Sequence, residues 1–177
     1  DQHQKFKQAE SYIHAPYYIN FASTIPRIRY GSIAVVREEL ERGTLLGVKY
    51  LMTHLGSSRE VGDKQGMVYL VEGLARVLDG YSGTTQFLLE NSAGTGRTIG
   101  DTFEELAQMI EKTEQKSKKF KGKIGICFDT CHAFTSGYDL RDKAVVKKTF
   151  DMFDKVIGLE RLKLIHCNDS MAGLGEH

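Results

Sequence analysis

The feature that most constrains this chain is a beat. Short apolar runs recur at nearly constant spacing, and each ends on a histidine or an acid. They cover residues 11–14, 47–54, 86–90, 123–129 and 162–166. Their last residues, His14, His54, Glu90, Asp129 and His166, stand 40, 36, 39 and 37 positions apart. Between them lie amphipathic stretches over 30–43, 64–78, 102–119 and 143–156. Strands that alternate with helices at this period imply βαβ units and a parallel sheet. Asp101, with Glu104 three residues on, has the pattern of a capping box at the third helix. Gly43 and Gly80 stand where helix stops are expected. Residues 4–8 read as the tail of an earlier helix. No linker or shift in composition divides the chain, so residues 1–177 are expected to form one domain.

The phase of the beat selects the architecture. In a closed parallel barrel the C-terminal strand ends ring one mouth, and successive loops converge there. Five residues remote in sequence would then meet in one pocket. An open doubly wound sheet gathers function mainly at its switch point and would not bring five consecutive strands together. The expected fold is therefore α/β, a (β/α)8 TIM barrel, of which this chain supplies about five strands and four helices. A whole barrel of this kind takes about 250 residues. With 177 residues, the sheet should be an open arc with exposed edges.

A lone strand-end histidine is more often a satisfied polar residue than a metal ligand. Glu90 and Asp129 are harder to explain that way. Each ends an apolar run, and a carboxylate leaving a buried strand is costly unless paired or metal-bound. Five such residues at one phase of the repeat outweigh the plain reading. Three imidazoles and two carboxylates suit Zn²⁺, with Mn²⁺ or Fe²⁺ as substitutes. A carboxylate can also bridge two metals, and paired metals activate water in phosphoryl chemistry. His132, in the loop just beyond Asp129, could begin a further metal position. His3 and His177 carry no such argument.

Other features are weaker. The glycines at 94, 96 and 100 suggest a phosphate loop, but no Gly-Lys-Ser/Thr follows, and a turn between strand and helix explains them. Cys127 and Cys131 are four apart, which is not a redox pair, and three cysteines make no disulfide framework. Lys116, Lys118, Lys119, Lys121 and Lys123 are explained by a solvated helix end, with DNA contact the minority reading. A net charge of +1 gives no general basic excess for nucleic acid. No apolar window is long enough to span a membrane, and the polar start has no signal-peptide pattern.

Taken together, several segments resemble the endonuclease IV family of apurinic/apyrimidinic endonucleases, the zinc-dependent DNA repair enzymes. They are His14-Ala15-Pro16-Tyr17-Tyr18-Ile19-Asn20, His54-Leu55-Gly56-Ser57, Leu89-Glu90-Asn91-Ser92-Ala93-Gly94, residues 125–134 with Asp129-Thr130-Cys131-His132-Ala133 at their centre, Gly137-Tyr138-Asp139, and His166-Cys167-Asn168-Asp169-Ser170. The order and spacing agree along essentially the whole chain.

The resemblance implies a trinuclear zinc site. His14 and His54 would bind the first metal, with Glu90 bridging it to the second. Asp129 and His166 would bind the second, and His132 the third. Tyr17 matches the family residue that wedges into DNA at the lesion. Tyr18, beside it, replaces a common leucine and is a second DNA-binding candidate. The implied reaction is hydrolysis of the phosphodiester 5′ to an abasic site in double-stranded DNA, leaving a 3′-hydroxyl. The implied protein is a monomer of the cytoplasm, or of the nucleus or mitochondrion in a eukaryote, without membrane association. The sequence departs from the family at its ends. The Asp-x-His pair of the third metal and a late glutamate of the second are not in this chain, which implies that the chain alone is inactive. Two other readings are a metal-dependent sugar isomerase or epimerase on a related barrel, and a non-catalytic fragment that binds metal or DNA.

Overall fold

The computed structural model describes residue 5 and residues 10–176. Lys5 is helical; the rest of the expected helix tail, with His3 and His177, lies outside the described residues. The elements are β1 (Tyr12–His14), α1 (Pro26–Leu46), β2 (Tyr50–Thr53), α2 (Asp63–Leu78), β3 (Gln86–Glu90), α3 (Phe103–Lys116), β4 (Ile124–Asp129), α4 (Thr130–Thr135), α5 (Lys143–Val156) and β5 (Leu162–His166). All four strand pairings are parallel, and the strands lie in chain order from β1 to β5. A doubly wound sheet reverses order at its switch point. Here every neighbour in space is a neighbour in sequence, as in a (β/α)8 barrel, and the five strands form an open part of one.

Strand periodicity splits the sheet into two faces. Leu51, Phe87, Leu89, Ile124, Ile126 and Phe128 point outward and pack with Val36, Leu40, Leu70, Leu74, Leu106, Met109 and Phe153 of the helices. The alternate residues Met52, Leu88 and Cys127 form a separate buried cluster with Tyr50 and Leu164. These inner residues floor the mouth where His14, Glu90, Asp129 and His166 end their strands. Most of the apolar core thus lies between sheet and helices, which is why an arc can bury a core without closing.

The second and fifth helices and the strand ends agree with the sequence reading to within a few residues. The differences have local causes. Helix α1 runs through Gly43 and stops at Gly47, which adopts the left-handed conformation (φ 72°). Gly43 instead lets α1 approach the sheet: a Cβ there would come within 2.9 Å of Thr85 Oγ1. Helix α3 is capped one residue later than expected, by Thr102, whose hydroxyl accepts from Glu105 N. Its partner Glu105 reaches back to Gly100 N. The expected helix over 102–119 breaks at Ser117 into a short 3-10 turn, Lys118–Phe120, that buries Phe120. Lys116 ends α3, and the rest of the lysine run leads to Lys123 at the N-terminal end of β4. It is about 20 Å along the strand from Asp129, at the end of the sheet away from the mouth. Helix α4 replaces an expected loop. Tyr138 closes the segment after it, stacking on Phe103 at 3.9 Å and accepting from Phe103 N.

The two glycines of α1 give opposed expectations. Gly31 is an exposed interior helix position with open space around it. Gly31→Ala should raise unfolding free energy by about 0.5–1 kcal/mol. Thr85 cannot yield to a methyl at Gly43, because its hydroxyl is bound to Val48 O. Gly43→Ala should therefore cost about 1–3 kcal/mol by overpacking. Urea denaturation of both variants measures the contrast, and equal effects would contradict this packing.

Candidate metal centre

Glu90 is the centre of the site. It ends β3 with 1% of its surface exposed. Its carboxylate meets His14 Nε2 at 3.0 Å on one oxygen. The other oxygen meets His166 Nδ1 at 3.1 Å and His132 Nδ1 at 3.5 Å. These rings come from β1, β5 and α4. His54, just past β2, completes the ring, its centroid 5.0 Å from that of His14 and 5.3 Å from that of His132. Burial by itself would push the Glu90 carboxyl up. The His14 hydrogen bond and the charges of His54 and His166 outweigh it and hold the group below the usual carboxylate value. The same bond lifts His14 above an ordinary histidine. His54 has no such bond, and burial lowers it.

Asp129, 1% exposed, ends β4. It also caps α4, accepting from His132 N at 2.9 Å. This cap turns the chain into a helix directly after the strand and brings the His132 ring back over Asn91 and Glu90. Asp129 carboxylate oxygens lie 3.8 Å from His132 Nδ1 and 3.7 Å from His166 Nδ1. All six expected ligand residues thus converge on one mouth. His132 shares the Glu90–Asp129 neighbourhood and does not stand apart from it.

Among the described residues, three groups bring ligand atoms within 4.8 Å of one another: His14–His54–Glu90, Glu90–Asp129–His132 and Glu90–Cys127–His166. Glu90 belongs to all three. Cys127 belongs to the buried inner cluster with Met52 and Leu88, and burial raises its thiol pKa far above the ordinary value. It is packing beneath the site. The donor chemistry that remains, imidazole and carboxylate, fits a borderline divalent cation.

The rim is built by the loops after β1, β2 and β3. Tyr17 is 83% exposed, with its ring 5.2 Å from that of His14 and 5.6 Å from that of His54. Tyr18 is 68% exposed and lines a neighbouring groove of about 420 Å³ with Asn20, Ser57, Ser92 and Thr98. The first two loops touch closely: Gly56 has φ 98°, and a Cβ there would sit 2.7 Å from the Asn20 backbone. The glycine-rich loop is a turn fastened to this rim. Ser57 pairs with Thr98, and Ile99 N donates to Gly56 O. Two asparagines carry roles that the sequence did not single out. Buried Asn91 accepts from Asp129 N and donates to Asp129 O, while its own carbonyl meets His132 Nδ1. Asn168 donates from Nδ2 to Asp129 Oδ2. Both follow a ligand-type residue by one or two positions, which is the only sequence signal they gave.

A parallel barrel segment with histidines and carboxylates gathered at its C-terminal strand ends defines a class of TIM-barrel proteins. The sequence matches the xylose isomerase-like TIM barrel family over residues 3–177. It is 40% identical over 164 residues to the probable endonuclease 4 of Chloroflexus aggregans, covering 92% of this chain and 56% of that protein. To the probable endonuclease 4 of Cenarchaeum symbiosum it is 39% identical over 171 residues, covering 97% and 59%. Endonuclease IV from Thermus thermophilus superposes with a TM-score of 0.79 at 34% identity, over 94% of this chain and 56% of that one. The chain belongs to the xylose isomerase-like TIM barrel family and, within it, groups with the endonuclease IV proteins. It spans a little over half the length of these relatives. A D-tagatose 3-epimerase-like protein shares the fold, with a TM-score of 0.73 at 22% identity over 95% of this chain and 59% of that one. No described helix is long and apolar enough to cross a membrane.

The His14–Glu90 pair should be visible in the metal-free chain. His14 is raised from 6.5, so its stabilisation is complete below that value and is lost as pH rises through the folded pKa. Glu90 is lowered from 4.5, so its share is present above that value and is lost as pH falls through the folded pKa. The pair therefore contributes most between about pH 4.5 and 6.5. NMR titration should place His14 above His54, and Glu90→Gln should lower His14. A His14 titration indifferent to that substitution would contradict the pairing.

Proposed function

We propose that this mouth is the core of a zinc-dependent apurinic/apyrimidinic endonuclease of base excision repair. Its reaction is hydrolysis of the phosphodiester 5′ to an abasic site in double-stranded DNA, leaving a 3′-hydroxyl. The observation that carries the reading is Glu90, a buried carboxylate with imidazoles from three separate elements within 3.5 Å of its oxygens. On this reading His14, His54 and Glu90 hold one metal, Glu90, Asp129 and His166 a second, and His132 a third. Such ions, when bound, acidify water and offset charge on a phosphoryl group.

The chain's own residues supply the rest. Glu90 offers an oxygen to each side of the mouth, so it can serve two sites at once. Burial lowers the His54 pKa and so favours the neutral ring, whose lone pair coordination requires. Cys127 and the apolar floor close the mouth from below, so substrate enters from the rim. Tyr17, exposed beside the imidazoles, is placed to enter a helix at the gap left by a missing base. Extruding an abasic nucleotide sacrifices little stacking, so one aromatic wedge can suffice. Tyr17, exposed beside the imidazoles, favours a base-stacked polymer over a small sugar. The likeness to the epimerase-like protein is one of fold.

Two measurements test this. The 177-residue chain, equilibrated with zinc and desalted, should retain one or two equivalents; retention of none would overturn the metal reading. A protein with a complete barrel around this segment should incise a tetrahydrofuran-containing duplex and stop on addition of chelator. Glu90→Gln should slow that incision by at least about 100-fold while circular dichroism stays unchanged. Undiminished turnover would remove Glu90 from the chemistry.

A further inference from the structure

We infer that Asn168 is a positioning residue for the site: its side-chain amide locks the orientation of the Asp129 carboxylate. The inference rests on the metal reading above. Asp129 is held at four points. Asn91 grips its backbone, accepting from Asp129 N at 2.7 Å and donating to Asp129 O at 3.1 Å. That fixes the strand end but leaves the carboxylate free to rotate. His132 N binds Oδ1 at 2.9 Å. A single bond to one oxygen still allows the group to swing about it, or to exchange its two oxygens. The Asn168 Nδ2 bond to Oδ2 removes that freedom. A carboxylate only accepts, so the nitrogen end of the amide must face it. Each oxygen then keeps a lone-pair direction toward the mouth, where His132 and His166 lie.

Asn168 is itself held. Thr130, the residue after Asp129, donates its hydroxyl to Asn168 O at 2.6 Å and accepts from Asn168 N at 2.8 Å. This reciprocal pair continues the β4–β5 pairing past His166, using a side chain where the ladder has ended. Asn168 is exposed and lies outside both apolar clusters. Its substitution leaves the apolar core untouched, so an effect on the site with an unchanged thermal midpoint reads as a loss of orientation. Groups that orient metal ligands in this way typically change metal affinity by about 10–100-fold when removed.

The test uses the 177-residue chain and Asn168→Leu, which keeps the side-chain volume and removes the donor, with Asn168→Ala beside it. In the metal-free protein, hydrogen exchange at the His132 amide should be several-fold faster in both variants, with unchanged thermal midpoints. Zinc affinity, measured by competition with a chromogenic chelator, should fall at least about tenfold in both. A wild-type chain that holds zinc and a Leu variant that holds it equally well would overturn this inference and leave the metal reading standing. A loss matched by a lowered thermal midpoint would make Asn168 a structural residue and also overturn it. A wild-type chain that holds no zinc would overturn both.

Discussion

The rest of the structure is arranged around one buried negative charge. An ionised carboxylate with almost no exposed surface is tolerated only where neighbouring groups replace its lost hydration. Glu90 obtains them from His14, His132 and His166, and no single element could supply all three. The need dictates topology. β3 must lie in the middle of the arc, with β1 and β2 on one side and β4 and β5 on the other. Chain-order parallel pairing achieves this, and each strand then presents its last inward residue to the same point. The cluster of Met52, Leu88 and Cys127 below it keeps water from relieving the charge from beneath.

The sequence displayed this scheme where spacing carried it. A ligand-type residue at one phase of a βα repeat survives errors of a few residues in element boundaries, so the barrel class and five of the six converging side chains were legible, while His132 stood out only by its place after Asp129 and by the family resemblance. What escaped were features set by one hydrogen bond or one close contact. Asp101 and Thr102 are both good caps, and Glu104 and Glu105 are both good partners. Only the packing of the Gly100 backbone against Glu105 chooses between them. Gly43 reads as a stop because glycine is costly inside a helix; its contact with Thr85 is long-range and has no local signature. Helix α4 has six residues, too few for a periodic pattern, and it forms because Asp129 caps it. The lysine run was ambiguous by composition, and topology put it at the wrong end of β4.

Asp129 shows how one residue can serve two purposes. As a cap it nucleates α4, and as a carboxylate it faces the mouth. The same oxygen that starts the helix also sets the angle at which His132 returns over Glu90. The proposed ligand set, six side chains at five strand ends and on α4, would ordinarily need six independent placements. Here the cap couples two of them, and Asn91 couples β3 to β4 directly beneath. The loops that follow can then vary without moving the cluster.

The charge balance makes a final connection between metal and DNA. The mouth holds two nearly buried carboxylates, and burial lowers the His54 pKa. The net charge of the chain is only +1, and its densest run of lysines lies at the opposite end of β4. Such a surface has little long-range attraction for a polyanion. Each divalent ion adds two positive charges at the point where the carboxylates lie. On the proposed reading, bound ions would make the potential at the mouth more positive. Metal and DNA then bind with positive coupling, and by linkage DNA strengthens metal binding as much as metal strengthens DNA binding. On that reading, recognition through bound ions needs no basic surface, and a near-neutral composition is compatible with the proposed nucleic-acid substrate.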